Sequence, residues 1–236
     1  MMTNIGILSI TAASIGFFHT LLGPDHYLPF IALSKAKKWS LTKTLLITFF
    51  CGIGHVLSSV LLGFIGIGLG IALFKLENIE AYRGDIAAWF LIIFGFLYFI
   101  WGLHRIIRNH PHRHSHIHDD GKQHIHPHQH QNEHSHIHSE KSSNSTAWIL
   151  FVIFIFGPCE PLIPLIMYPA AQSNILAVII VTLVFAIVTI GTMLTVIGGA
   201  YYGLKNIHFH QFGKYSHAFA GVLIFLCGGA IKFLGL

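Results

Sequence analysis

His19-Thr20-Leu21-Leu22-Gly23-Pro24-Asp25-His26 lies inside the first apolar run of the chain. Pro24 ends a regular helix there, because proline lacks the backbone donor and clashes with the preceding turn. A membrane tolerates such a break only where protein or a water-filled cavity supplies hydrogen-bond partners. Ionisable side chains at this depth are costly and mark function by default. The stretch therefore predicts a broken membrane helix whose His19, Asp25 and His26 form a cation site; a proline kink with a purely structural Asp–His pair is the alternative.

Composition supports a membrane protein. Of the 236 residues 53% are hydrophobic and 10% are charged, against about 25% charged residues in soluble domains. Six runs have the length of about 20 residues that a membrane helix needs. They are Ile5–Leu33, Thr44–Phe74, Ile86–Leu103, Ala147–Tyr168, Ile175–Tyr202 and Ala218–Leu236. The sequence thus predicts an all-α protein with six transmembrane helices and lipid as its surroundings.

Positive charges predict the orientation. The first, third and fifth loops carry four, five and two of the 14 Lys and Arg residues. Loops rich in Lys and Arg stay in the cytoplasm. With the three odd-numbered loops there, we expect both termini outside a bacterial-type cytoplasmic membrane. The second loop, with Glu77, Glu80 and Asp85, is then an acidic external loop. The net charge of +5 follows from this topology, so we expect no nucleic-acid partner.

The two halves of the chain resemble each other. Gly157-Pro158-Cys159-Glu160 repeats the pattern of Gly23-Pro24-Asp25-His26, and Ile190-Gly191 repeats Ile53-Gly54 at nearly the same offset. Duplication of a three-helix unit inverts the second copy and brings the two broken first helices to the midplane. We therefore predict two inverted repeats, residues 1–108 and 146–236, separated by a loop at 109–145.

The repeat brings further candidate ligands to the first site. Cys159 and Glu160 come from the second broken helix, and His55 comes from the middle of the second helix. Imidazoles with carboxylates and one thiolate suit Co²⁺, Ni²⁺, Zn²⁺ or Fe²⁺, whereas Mg²⁺ and Ca²⁺ prefer oxygen ligands only. The predicted metal ligands are His19, Asp25, His26, His55, Cys159 and Glu160. A small, packed cysteine is the alternative for Cys159.

The predicted loop is rich in histidine at alternate positions. Tracts of this kind bind metals through neutral imidazoles, and a pH-responsive linker is the alternative. We expect a disordered cytoplasmic loop with several weak auxiliary metal sites. Its histidines are His110, His112, His114, His116, His118, His124, His126, His128, His130, His134, His136 and His138.

These motifs resemble a known family. The intramembrane histidines, the Asp25-His26 pair, the Gly-Pro-Cys-Glu-Pro segment and the histidine-rich loop are similar over the whole chain to the NicO-type nickel/cobalt transporters, in particular the UreH-like branch. The resemblance implies a multi-pass carrier of Ni²⁺ or Co²⁺, with the first-span histidine and Asp-His pair essential. It extends to the LysE and CcdA superfamily, whose CcdA-type thiol–disulfide carriers have a Pro-Cys in each half; here Asp25 is the counterpart of Cys159.

We therefore expect a secondary transporter and not an enzyme. It would move a divalent transition metal, Ni²⁺ or Co²⁺ first and Zn²⁺ or Fe²⁺ as further candidates, by alternating access with proton exchange at its ligands. An anion or small-molecule exporter of similar build is one alternative, since half-helix N-termini favour anions. A CcdA-like thiol–disulfide carrier is the other. The sequence leaves the oligomeric state and the direction of transport open.

Overall fold

The structure is a computed structural model that describes residues 2–108, 112–117, 123–128, 145–204 and 213–235. Its membrane part is all-helical, as predicted. The helices are α1 (Met2–Leu22), α2 (Leu28–Ala36), α3 (Leu41–Gly68), α4 (Leu73–Arg108), α5 (Ser145–Phe156), α6 (Leu162–Ala171), α7 (Ile175–Gly203) and α8 (Ser216–Leu234). Two short 3₁₀ turns, Pro24–His26 and Gly213–Tyr215, precede α2 and α8.

The helices are those of a multi-pass membrane protein. Within the described ranges, five helices are long and apolar enough to cross a membrane, namely α1, α3, α4, α7 and α8. The shorter apolar helices α5 and α6 follow one another and together have about the length of a sixth span. Large apolar side chains remain exposed along the long helices, for example Ile10, Leu61 and Ile187. Lipid covers such a surface in a membrane protein.

Both predicted helix breaks are present. In the first half, α1 ends at Leu22 and α2 begins at Leu28. In the second half, α5 ends at Phe156 and α6 begins at Leu162, with Pro158 and Pro161 between them. The proline positions predicted these interruptions because a proline inside a helix removes a hydrogen bond and clashes with the turn before it.

The predicted second loop is helical, and its position outside the membrane stays a prediction. Glu77, Glu80 and Asp85 lie within α4, which begins at Leu73 rather than at the predicted Ile86. No proline and no glycine-rich turn stops the helix in this region, and Glu80 is buried with Arg83 as its ion-pair partner. A neutralised pair allows charged residues to continue into a membrane helix, which a count of charges along the chain does not reveal.

The two halves pack in reciprocal pairs. Helix α1 packs against α7 and α5 against α3, while α2 contacts α8 and α6 contacts α4; α4 also packs along α8. If α1, α2, α3 and α4 correspond to α5, α6, α7 and α8, a two-fold relation between the halves requires these paired contacts. The inverted repeat itself stays a prediction. The α4–α8 contact is close: a Cβ added at Gly221 would lie 2.4 Å from the backbone nitrogen of Phe99. Small residues let membrane helices approach in this way.

The predicted histidine-rich loop contains a hairpin. Strands β1 (His112–Ile117) and β2 (Gln123–His128) pair antiparallel, with His112 opposite His128 and His116 opposite His124. These two segments thus have strand backbone, and the disordered loop at 109–145 stays a prediction. The other histidines assigned to the loop lie outside the described residues; they are His110, His118, His130, His134, His136 and His138.

Candidate metal centre

Three histidines meet inside the helix bundle. His19 lies in the last turn of α1, His26 ends the 3₁₀ turn after the break, and His55 lies in the middle of α3. Each offers one nitrogen to a group whose ligand atoms all lie within 4.8 Å of one another. His26 and His55 are 2% and 1% exposed, so a cation held here has lost most of its hydration shell.

The helix break positions His26. The Gly23 N–H donates to the His19 carbonyl at 3.0 Å, and the His26 N–H donates to the Gly23 carbonyl at 3.2 Å. These bonds turn the chain so that the His26 ring returns towards the end of α1, with its centroid 4.9 Å from that of His19. A Cβ at Gly23 would lie 2.6 Å from His26 Nδ1. Only glycine therefore fits at this position.

The neighbours of His26 determine which of its nitrogens faces the centre of the group. Nδ1 lies 3.1 Å from the Gly23 carbonyl oxygen and 3.1 Å from Asp25 Oδ1. Both partners are acceptors, so Nδ1 carries the proton and donates, which leaves Nε2 with its lone pair in the neutral ring. Nε2 lies 3.4 Å from His55 Nε2. Asp25 therefore contacts the far side of His26, where a carboxylate orients a metal-binding imidazole.

The spacing of two of the three nitrogens fits a first-row divalent ion, and a small shift of the rings would bring the third within bonding distance. Two nitrogens bound at about 2.0–2.1 Å to one tetrahedral ion are about 3.3–3.4 Å apart. The distance between the Nε2 atoms of His26 and His55 is 3.4 Å. Among the described residues, His19 Nε2 is buried and has no hydrogen-bond partner. A buried polar atom without a partner needs an explanation, and a bound cation supplies one.

The second broken segment lines a small cavity next to His55, on the side away from His26. A cavity of about 20 Å³ is lined by Asp25, His55, Gly157 and Pro158, among others. Its size is that of about one water-sized species. Gly157 packs against the His55 ring, since an added Cβ would lie 3.0 Å from His55 Nδ1. A larger groove of about 610 Å³ lies between α3 and α5, and none of the six predicted ligands lines it.

Cys159 and Glu160 lie apart from the histidine group in the described part of the chain. Cys159 is fully buried, and its backbone N–H contacts Ser59 Oγ and Glu80 Oε2, each at 3.3 Å. Glu160 is exposed. Neither belongs to the group of ligand atoms within 4.8 Å. Asp25 is not in that group either, and it contacts His26, which is. Their roles as direct ligands stay predictions.

Sequence reasoning missed a second polar cluster, formed around Glu80 and Arg83. Glu80 Oε1 and Arg83 Nη1 are 2.6 Å apart, with side chains 0% and 16% exposed. The signal that was present is their opposite charge at a spacing of three residues, which places them together on one helix face.

Comparison with known proteins identifies one related family. The family described as the cytochrome C biogenesis protein transmembrane region matches residues 28–230 of this chain. The match supports the LysE and CcdA-like superfamily, and it adds nothing for the nickel/cobalt branch within it. The comparisons with curated proteins and with solved structures found no match.

Proposed function

We propose that this chain, which belongs to the family of the cytochrome C biogenesis protein transmembrane region, is a secondary transporter of divalent transition-metal ions. Ni²⁺ and Co²⁺ are the first candidates for its substrate, with Zn²⁺ and Fe²⁺ next. Membership of this family indicates either a membrane transporter or a thiol–disulfide carrier. One observation supports the metal: three imidazoles offer nitrogens within 4.8 Å of one another inside the membrane part.

The donor set favours this class of substrate. Imidazole nitrogen binds Co, Ni, Cu and Zn well and binds Mg or Ca poorly. Neutral imidazoles do not balance the positive charge of the ion, whereas the Asp25 carboxylate can. The Asp25 carboxylate lies 3.1 Å from His26 Nδ1. A bound ion would therefore meet three nitrogen donors with one negative charge behind them, at low solvent exposure.

Alternating access is the mechanism we propose, and the contact of the second half with His55 supports it. All three histidines come from the first half, whereas Gly157 and Pro158 of the second half line the adjoining cavity. Movement of the α5–α6 break relative to His55 would open or close this cavity. Metal binding competes with protons for the same nitrogen lone pairs, so proton exchange is a natural coupling.

The test is metal flux into vesicles that contain the purified protein. We expect uptake of Ni²⁺ or Co²⁺ by the natural protein and its loss in H26A and H55A. The matched control is H104A, because His104 is an exposed histidine of α4 outside the group. Full flux in H26A and H55A would exclude the histidine group as the transport site.

A thiol–disulfide carrier is the second candidate, and Cys159 is the observation that favours it. This buried cysteine directly follows Pro158 at a helix break, in a chain of the cytochrome C biogenesis family. Among the described residues the three cysteines, Cys51, Cys159 and Cys227, are free and buried. Thiol–disulfide exchange passes through an attack of one sulfur on another, and the counterpart of Cys159 in the first half is Asp25.

The variant C159S separates the two functions. A metal carrier that uses the histidine group keeps most of its flux when sulfur becomes oxygen, whereas a thiol–disulfide carrier loses all electron transfer. The measurement pairs metal uptake with alkylation of Cys159 in cells under reducing and oxidising conditions. A redox-dependent change in alkylation, together with no metal flux, would favour the thiol–disulfide carrier.

A further inference from the structure

The Glu80–Arg83 pair joins three parts of the bundle. Arg83 Nη2 donates to Ser58 Oγ on α3 at 2.7 Å and to the Ile155 carbonyl on α5 at 2.7 Å. Glu80 Oε2 accepts from the backbone N–H of Cys159 at 3.3 Å. Both residues belong to α4. The pair therefore ties α4 and α3 to the end of α5 and to the α5–α6 break.

The pair lies next to the histidine group, towards one membrane face. Ser59 is one helical turn beyond His55 on α3 and contacts both Arg83 Nη1 and the Cys159 N–H. It is closer than His55 to Gly68, where α3 ends, and Glu80 and Arg83 lie near Leu73, where α4 begins. The next polar groups from His55 towards this face are thus Ser58, Ser59 and the ion pair.

The α5–α6 break also packs against α4 next to the pair. Gly84 follows Arg83, and a Cβ added there would lie 2.8 Å from Pro158 Cγ. Pro158 and Gly84 both line the small cavity that contains Asp25 and His55. If the α5–α6 break moved away from α4, Arg83 would lose its contacts with it and the cavity would open at the same time.

Stability alone does not explain a buried pair of this kind. Apolar residues of similar volume are often as stabilising as a buried ion pair, and ionisable groups inside a membrane mark pathways. We propose that the Glu80–Arg83 pair is a gate that closes the route between the histidine group and the membrane face at which α3 ends. The gate opens when the α5–α6 break separates from α4. This inference rests on the proposed transport function.

Cys159 is a natural reporter for the gate. Its side chain is fully buried and its N–H contacts Glu80, so a membrane-impermeant maleimide should label it slowly while the pair is intact. The protein carries C51A and C227A so that Cys159 is the one thiol. Loss of a buried charged hydrogen bond costs about 1.5–3 kcal/mol. The variant E80Q/R83Q should therefore increase the labelling rate about tenfold or more.

The double variant removes both charges at once, so that no buried charge is left alone. The conservative variant R83K keeps the charge but lacks the guanidinium fork. We expect its labelling rate to lie between that of the protein with the intact pair and that of E80Q/R83Q. The matched control is D85N, because Asp85 also lies on α4 and forms a more exposed ion pair, with Lys232 of α8. D85N should leave the labelling of Cys159 unchanged.

Labelling requires no metal, so the gate and the proposed substrate can fail separately. An unchanged labelling rate in folded E80Q/R83Q, or fast labelling with the pair intact, would overturn the gate. If the rate rises as expected but the histidine group binds no Ni²⁺ or Co²⁺, the proposed substrate fails and the gate remains. Folding is checked by gel filtration and thermal unfolding in detergent.

Discussion

Asp25 and His55 contact opposite edges of one imidazole ring. Asp25 Oδ1 lies 3.1 Å from His26 Nδ1, and His55 Nε2 lies 3.4 Å from His26 Nε2. The carboxylate holds the proton of the ring on the side away from the group, and the free lone pair faces His55. On this geometry we expect the two residues to have different roles. We expect His55 to be a ligand and Asp25 to orient a ligand and balance its charge.

The first prediction concerns His55. Removal of this ring in H55A takes away one of the three nitrogen donors, so we expect Co²⁺ affinity to fall by more than the roughly 10–100-fold typical of an orienting partner. The measurement is a titration of the purified protein with Co²⁺, followed by the visible absorption that reports its coordination. H104A provides the control. Unchanged affinity and an unchanged spectrum in H55A would show that His55 is not a ligand.

The second prediction concerns Asp25. The variant D25N keeps an acceptor oxygen near His26 Nδ1 and loses the negative charge. We expect Co²⁺ affinity to fall roughly 10–100-fold while the absorption spectrum keeps its shape, because the ligand atoms remain the same. A spectrum that changes shape would instead make Asp25 a direct ligand, as the sequence predicted. Affinity equal to that of the natural protein would remove Asp25 from the site.

The sequence predicted the parts of the site that depend on local chemistry. Gly23-Pro24 and Gly157-Pro158 indicated the two breaks because glycine and proline act on the backbone where they occur. His55 was also a predicted ligand, but its distance from His26 depends on how two separate helices pack and came only from the fold. The burial of Glu80 was not predictable, because its partners include the Cys159 N–H, which is far away along the chain. Charge counts assign such a residue to a loop.

The third prediction concerns the contact between α4 and α8. In G221A the new methyl group would lie 2.4 Å from the Phe99 backbone nitrogen, so the helices must separate, at a cost of about 1–3 kcal/mol. The matched control is G229A on the same helix, where an added Cβ meets nothing within 4 Å among the described residues. Thermal unfolding in detergent should therefore show a lower midpoint for G221A and no loss for G229A. Equal midpoints would contradict the close packing of the two helices.

The fourth prediction concerns the twelve histidines assigned to the loop at 109–145. Neutral imidazoles in tracts of this kind bind transition metals. The tract lies between two predicted spans, so we expect it to collect metal near one membrane face. Replacement of all twelve by serine should increase the metal concentration for half-maximal flux several-fold and leave the maximal flux nearly unchanged. Vesicle uptake over a range of metal concentrations measures both quantities. If the inserted variant shows no flux at saturating metal, the loop belongs to the transport path itself.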